Sequence, residues 1–217
     1  MIKAVIFDMD GLMVDSEPLQ SLAFEELVKS YGKTPIPHEH GLMQMVGLGG
    51  DDNYIMVREK HNIEDNISVL REKRLPIYFK ILGEKVTPMP GLLELLKLLK
   101  KEEFKTAVAS SSHMYQINLV LEKLNIASYF DKLVSGTEMP HHKPSPDIYL
   151  EAAKQLDLEP RECVALEDSS VGVQSGNSAG MKVIAVPSTY TITQDLSKAD
   201  KIVNSLTEVT LDLIHSL

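Results

Sequence analysis

Cysteine is all but missing from this 217-residue chain, so no disulfide framework holds it together. The single thiol, Cys163, lies in the apolar run Cys163-Val164-Ala165-Leu166, where a lone cysteine fills core rather than serving as nucleophile or ligand. That usage suits a reducing cytosol. Basic residues are scarce too: 22 Lys and Arg stand against 31 Asp and Glu, a formal charge of −9, and no long basic stripe appears. Phosphate backbones are held mainly by clustered Lys and Arg, so the balance argues against a nucleic-acid partner. No apolar run reaches the ~18 residues of a membrane span. The opening Met1-Ile2-Lys3-Ala4-Val5-Ile6-Phe7 turns acidic too soon for a signal sequence. A cytoplasmic protein with no membrane partner is expected.

What the chain does contain is enough to build a core. Apolar residues make up 43% and charged residues 24%, which argues against disorder or a fibre. The length suits one core carrying one substantial insertion. Ala4 to Phe7 is a short apolar run ending in Asp8-Met9-Asp10-Gly11, the pattern of a buried parallel strand that opens into a polar loop. The pattern recurs. Thr106 to Ala109 ends in Ser110-Ser111-Ser112, Cys163 to Leu166 ends in Glu167-Asp168-Ser169, and Lys182 to Val186 ends at Pro187. Helical spacing separates these runs, over Leu92 to Lys101, Tyr115 to Leu124, Pro146 to Leu156 and Val171 to Ala179. Alternating strand and helix predicts an α/β fold built on a doubly wound parallel sheet. In such sheets ligands bind beyond the carboxyl ends of the strands, where the polar triplets fall.

Residues 15–87 break the alternation, with apolar residues at helical spacing (Leu22, Leu27; Ile55, Met56; Ile77, Ile81) and no convincing strand. A helical cap over 15–87, inserted into a core of 1–14 and 88–217, is expected. Asp15-Ser16-Glu17-Pro18 supplies capping side chains and a first-turn proline, while Gly83 and Pro88-Met89-Pro90-Gly91 mark the return. These two stretches read as hinges. Pro76 predicts a kink or break in the third helical pattern.

Asp8 and Asp10 sit two apart, so an extended segment points them the same way, and Gly11 lets the chain turn behind them. Close carboxylates repel, and either a proton or a cation relieves them. Glu167-Asp168 ends another predicted strand. If the two strands are neighbours, several carboxylate oxygens converge on a hard, oxygen-seeking ion such as Mg²⁺. Asp-Met-Asp-Gly alone reads equally well as an acidic strand-to-turn junction. Ser110 and its neighbours offer hydroxyl and backbone donors to phosphate, although a serine-rich turn is also an ordinary helix N-cap. Lys143, in Lys143-Pro144-Ser145-Pro146-Asp147, lies in a proline-stiffened loop that can hold one ammonium still.

Taken in order, these pieces resemble the haloacid dehalogenase (HAD) superfamily, in its β-phosphoglucomutase-like branch with a helical cap. Asp8-Met9-Asp10-Gly11 matches the first family motif, Ser110 the second, Lys143 with its Pro-Ser-Pro-Asp run the third, and Glu167-Asp168-Ser169 the fourth. The resemblance implies a Rossmann-like core and a phosphatase acting on a small phosphorylated metabolite, a sugar or polyol phosphate, through an aspartyl phosphate. It implies Asp8 as nucleophile, Asp10 as acid and then base, and Ser110, Ser111 and Lys143 around the phosphate. Mg²⁺ is then held by the Asp8 carboxylate, the Asp10 carbonyl and Asp168, with Glu167 acting through a water.

Other signals are weaker. Gly176-Asn177-Ser178-Ala179-Gly180 matches an esterase elbow, but that motif needs a strand before its serine and here the preceding residues read as helix. His38/His40 and His141/His142 lack the i, i+4 spacing of a helical zinc pair and read as loop residues. Gly47-Leu48-Gly49-Gly50 lacks the Gly-Lys-Ser/Thr of a phosphate loop and reads as a cap loop. Within the superfamily, Asp10 favours phosphate chemistry over dehalogenation, while a phosphonatase, which needs a cap lysine able to form a Schiff base, stays open because residues 15–87 hold several lysines. The mutase pattern has a histidine five residues after Asp15 and an arginine three after Gly47; Gln20 and Gly50 stand there, which favours hydrolysis over isomerisation.

Overall fold

The computed structural model describes residues 1–36 and 51–217. The chain divides into two compact units, Met1–Asp15 with Thr87–Leu217, and Ser16–Val86. His38, His40 and Gly47 to Gly50 lie outside the described residues.

The first unit is built on a six-stranded parallel sheet in the order β3-β2-β1-β4-β5-β6. Its strands are β1 (Ala4–Phe7), β2 (Lys105–Ser110), β3 (Lys132–Ser135), β4 (Cys163–Glu167), β5 (Lys182–Ala185) and β6 (Lys201–Ile202). Every residue of β1 and β4 is buried, as central strands covered on both faces require, and their apolar runs follow from that. The doubly wound α/β architecture expected from the alternation is the one observed. Two strands escaped the sequence pattern. Lys-Leu-Val-Ser of β3 is short and half-exposed at its start, and β6 is an exposed edge of two residues.

The helices of this unit cover the sheet. Helix α4 (Leu92–Lys101) buries Leu92, Leu95, Leu96 and Leu99 along one stripe, each worth about 1.5–3 kcal/mol relative to exposure. Helix α5 (Met114–Lys123) connects β2 towards β3, α6 (Asp147–Gln155) precedes β4, α7 (Ser170–Ser178) links β4 to β5, and α8 (Leu211–His215) lies near the C-terminus. Helix α6 turns Ile148, Tyr149, Ala152 and Ala153 into the core. Ser169 caps α7, its hydroxyl accepting from the Gly172 N–H at 3.2 Å.

The second unit contains α1 (Glu17–Ser30), α2 (Asp52–Lys60) and α3 (Ile67–Lys85), with no strand among the described residues. Phe24, Leu27, Val28, Tyr54, Val57 and Leu70 form its core. Asn66 caps α3 by accepting from the Val69 N–H at 3.0 Å. Helix α3 runs unbroken through Pro76, so the expected break does not occur. Proline removes one donor to the carbonyl four residues back, and Glu72 and Pro76 both lie on the exposed face, where water can satisfy that carbonyl. Arg74, on the opposite side, is buried with its guanidinium 4.0 Å from the Phe24 ring centroid, and it donates to Gln20 O at 3.0 Å and to the Gln20 side chain. No helix among the described residues is long and apolar enough to cross a membrane.

Candidate active site

The two acidic stretches leave the sheet side by side. Phe7 of β1 is in register with Leu166 of β4, and the Asp8 N–H donates to Leu166 O at 3.0 Å, so Asp8 and Glu167 emerge at neighbouring carboxyl ends. This is where the strand order reverses, with β2 and β3 on one side and β5 and β6 on the other, and sheets of this kind open a crevice there.

Asp8, Glu167 and Asp168 are buried, and each offers a carboxylate oxygen within 4.8 Å of the others. Lys143 joins them from the loop before α6. Its Nζ lies 2.6 Å from Asp8 Oδ1 and 2.6 Å from Glu167 Oε1, and also donates to Ala109 O at 3.1 Å. Tyr149, in the first turn of α6, donates its hydroxyl to the same Glu167 Oε1 at 2.7 Å. Two missing side chains make the crowding possible. A Cβ on Gly11, whose φ is +88°, would overlap the Asp168 carboxylate, and a Cβ on Gly172 would overlap that of Glu167.

Burial sets the electrostatics. It pushes the Asp8 carboxyl well above its ordinary range; Lys143 pulls the other way, and the charges of Glu167 and Asp168 add to the rise. Asp168 is pushed up to about 7, first by burial and then by Glu167, against hydrogen bonds from Ser188 and Thr191, each at 3.3 Å. For Lys143, burial alone would lower the pKa, but the Asp8 and Glu167 charges outweigh it and hold the ammonium firmly protonated. One cation cannot balance three carboxylates. A buried, all-oxygen cluster with excess negative charge fits a hard divalent ion.

Asp10 stands apart from this cluster. Its Oδ2 accepts from Ser112 Oγ at 2.7 Å and lies 3.4 Å from Ser110 Oγ, while its Oδ1 is buried without a hydrogen-bond partner among the described residues. Ser110, buried at the end of β2, accepts from the Ser112 N–H at 3.1 Å; Ser111 is exposed. The geometry thus gathers Asp8, Lys143, Glu167 and Asp168 tightly, and brings Asp10 and Ser110 together beside one another.

The competing signals fall elsewhere. Ser178 ends helix α7, so no strand leads into the Gly-x-Ser-x-Gly match. His141 and His142 are exposed, His141 pairing with Asp147 at 3.0 Å. Cys163 is buried in β4 and its thiol is pushed up to about 11 by burial, as an inert core thiol should be. Sequence reasoning missed Tyr149, Ser188 and Thr191, and read Ser112 only as a neighbour of Ser110 offering donors to phosphate, not as a partner of Asp10. Tyr149 reads only as a core-facing helical residue, and Ser188 and Thr191 lie in an irregular loop after β5, without a periodic signal.

A family of haloacid dehalogenase-like hydrolases matches residues 5–186, and the chain belongs to that family. Hexitol phosphatase B of Escherichia coli is 33% identical over 212 residues, covering 96% of this chain and 95% of that protein. The β-phosphoglucomutase of Bacillus subtilis is 31% identical over 227 residues, covering 99% and 94%. Among solved structures, CbbY from Rhodobacter sphaeroides in complex with phosphate superimposes with a TM-score of 0.81 at 26% identity, covering 96% of each chain. The protein is therefore an enzyme of the HAD-like phosphoric monoester hydrolase class.

Proposed function

We propose that the enzyme is a Mg²⁺-dependent phosphatase that releases phosphate from a small sugar or polyol phosphate through an aspartyl phosphate on Asp8. The observation that carries this reading is the buried cluster of Asp8, Lys143, Glu167 and Asp168 at the strand-order reversal. The hexitol phosphatase relative supports the substrate class. In this reading the core of 1–14 and 88–217 performs the chemistry, and 15–87 is its cap.

In the first step an Asp8 carboxylate oxygen attacks phosphorus, the bond to the sugar oxygen breaks, and Asp10 gives that oxygen its proton. In the second, water attacks the aspartyl phosphate, Asp10 takes back a proton, and the bond between phosphorus and Asp8 breaks to release phosphate. Lys143 orients the Asp8 carboxylate and favours its ionised form against burial, and Ser110 donates to a phosphate oxygen. Asp8, Asp168 and the Asp10 carbonyl would hold Mg²⁺, with Glu167 beside them, and the bound ion would supply positive charge against the phosphoryl oxygens.

A mutase is the second reading, favoured by the β-phosphoglucomutase relative. Against it stands Gln20, an amide where the mutase pattern has histidine, already engaged by Arg74. The test is a Mg²⁺-supplemented screen of hexose, pentose and hexitol phosphates and phosphonates. A parallel arm supplies β-glucose 1-phosphate with catalytic 1,6-bisphosphate, and measures glucose 6-phosphate and free phosphate separately. Phosphate release from a hexitol or sugar phosphate is expected; isomerisation with little phosphate release would overturn the choice.

A further inference from the structure

We infer that Ser112 is the positioning residue for Asp10, holding one carboxylate oxygen so that the other handles the proton in both steps. This role rests on the acid–base reading of Asp10 above. Of the two serines at Asp10 Oδ2, Ser112 makes the short bond, 2.7 Å against 3.4 Å for Ser110. With Oδ2 held, Oδ1 is the free oxygen: it is buried and has no hydrogen-bond partner among the described residues. A buried carboxylate oxygen without a protein partner is costly, so the position of Oδ1 suits a proton or a substrate atom.

Ser112 is itself held from two strands. Its carbonyl accepts from Ser135 Oγ, at the end of β3, at 2.7 Å, and its N–H donates to Ser110 Oγ, at the end of β2, at 3.1 Å. Ser135 Oγ is braced in turn by Thr137 Oγ1 at 2.8 Å. The hydroxyl that aims Asp10 is therefore carried by the rigid edge of the sheet. Because the proton is carried on Oδ1, Oδ2 remains an acceptor in both charge states, and the Ser112 hydroxyl can donate to it throughout.

The experiment compares hydrolysis of glucitol 6-phosphate, whose alkoxide leaving group needs a proton, with that of p-nitrophenyl phosphate, whose leaving group does not. Wild type, Ser112→Ala, Ser112→Thr, Asp10→Asn and the Asp10→Asn/Ser112→Ala double variant are assayed with Mg²⁺. The ratio of the two activities is read, because loss of folded enzyme cancels in it. Ser112→Ala is expected to lower that ratio about ten-fold, the worth of a hydrogen bond to a charged group, with Ser112→Thr restoring it. In the Asp10→Asn background the same change should have no further effect on the ratio. An unchanged ratio in Ser112→Ala, or a further fall in the double variant, overturns the role of Ser112 alone. An Asp10→Asn enzyme indifferent to the leaving group overturns the acid–base reading itself.

Discussion

Removing the charge of Asp168 should change how the metal-free protein responds to pH. Its carboxyl titrates at about 7 in the folded protein, because burial and then Glu167 oppose ionisation, against an ordinary value of 3.8. A raised carboxyl pKa means that the folded state holds the proton more tightly than the unfolded chain does. The associated stability is therefore fully present below about pH 4 and is lost as pH rises through about 7. A gap of about 3 units corresponds to about 4 kcal/mol in all, of which about 2.5 kcal/mol falls between about pH 5 and pH 8. Asp168 is mostly buried, so little of this is screened by solvent. Urea titrations in chelator should show wild type losing about 2.5 kcal/mol over that interval relative to Asp168→Asn. Saturating Mg²⁺ should then stabilise wild type, more at the higher pH, since only ionised carboxylates ligate, by about 2.7 kcal/mol at a hundred-fold excess over Kd. Parallel pH profiles for the two proteins in chelator, or a Mg²⁺ effect equal in both, would refute the reasoning.

Three further substitutions probe the same cluster. Lys143→Met removes the ammonium shared by Asp8 and Glu167 and should cost about 3–5 kcal/mol in urea denaturation, since two buried carboxylates lose their partner; wild-type stability would contradict the ion-pair geometry. Gly172→Ala drives a methyl into the Glu167 carboxylate and should destabilise by about 1–3 kcal/mol while weakening Mg²⁺ binding measured by calorimetry; unchanged binding would count against it. Asp8→Asn should abolish turnover with circular dichroism unchanged; activity near wild type would exclude Asp8 as nucleophile.

Much of the core was legible because its elements are strongly patterned. The Leu92, Leu95, Leu96 and Leu99 stripe announces α4, and the four-residue apolar run before Asp8 announces β1. Strand β3 was not, because Lys132 and Leu133 are not fully buried and carry no alternation, and an exposed pair such as β6 has no pattern to read. Pro76 misled because a proline on an exposed helical face costs only a water-accessible hydrogen bond. At the site, the polar stretches after the strands pointed to Asp8, Glu167 and Asp168, and the proline-stiffened loop pointed to Lys143. Their convergence depended on β1 lying next to β4, a long-range pairing that no local pattern encodes. The hydroxyls of Ser112, Tyr149, Ser188 and Thr191 reach the acids only through that tertiary arrangement.

The most direct test traps the covalent intermediate. Enzyme turning over a hexitol phosphate with Mg²⁺ is quenched in acid and treated with borohydride, which reduces an acyl phosphate to an alcohol and so converts a phosphorylated aspartate to homoserine. Peptide mass spectrometry should then find homoserine at position 8, and none in Asp8→Asn. Homoserine at another aspartate, or none at all during full turnover, would contradict the assignment of Asp8 as the nucleophile.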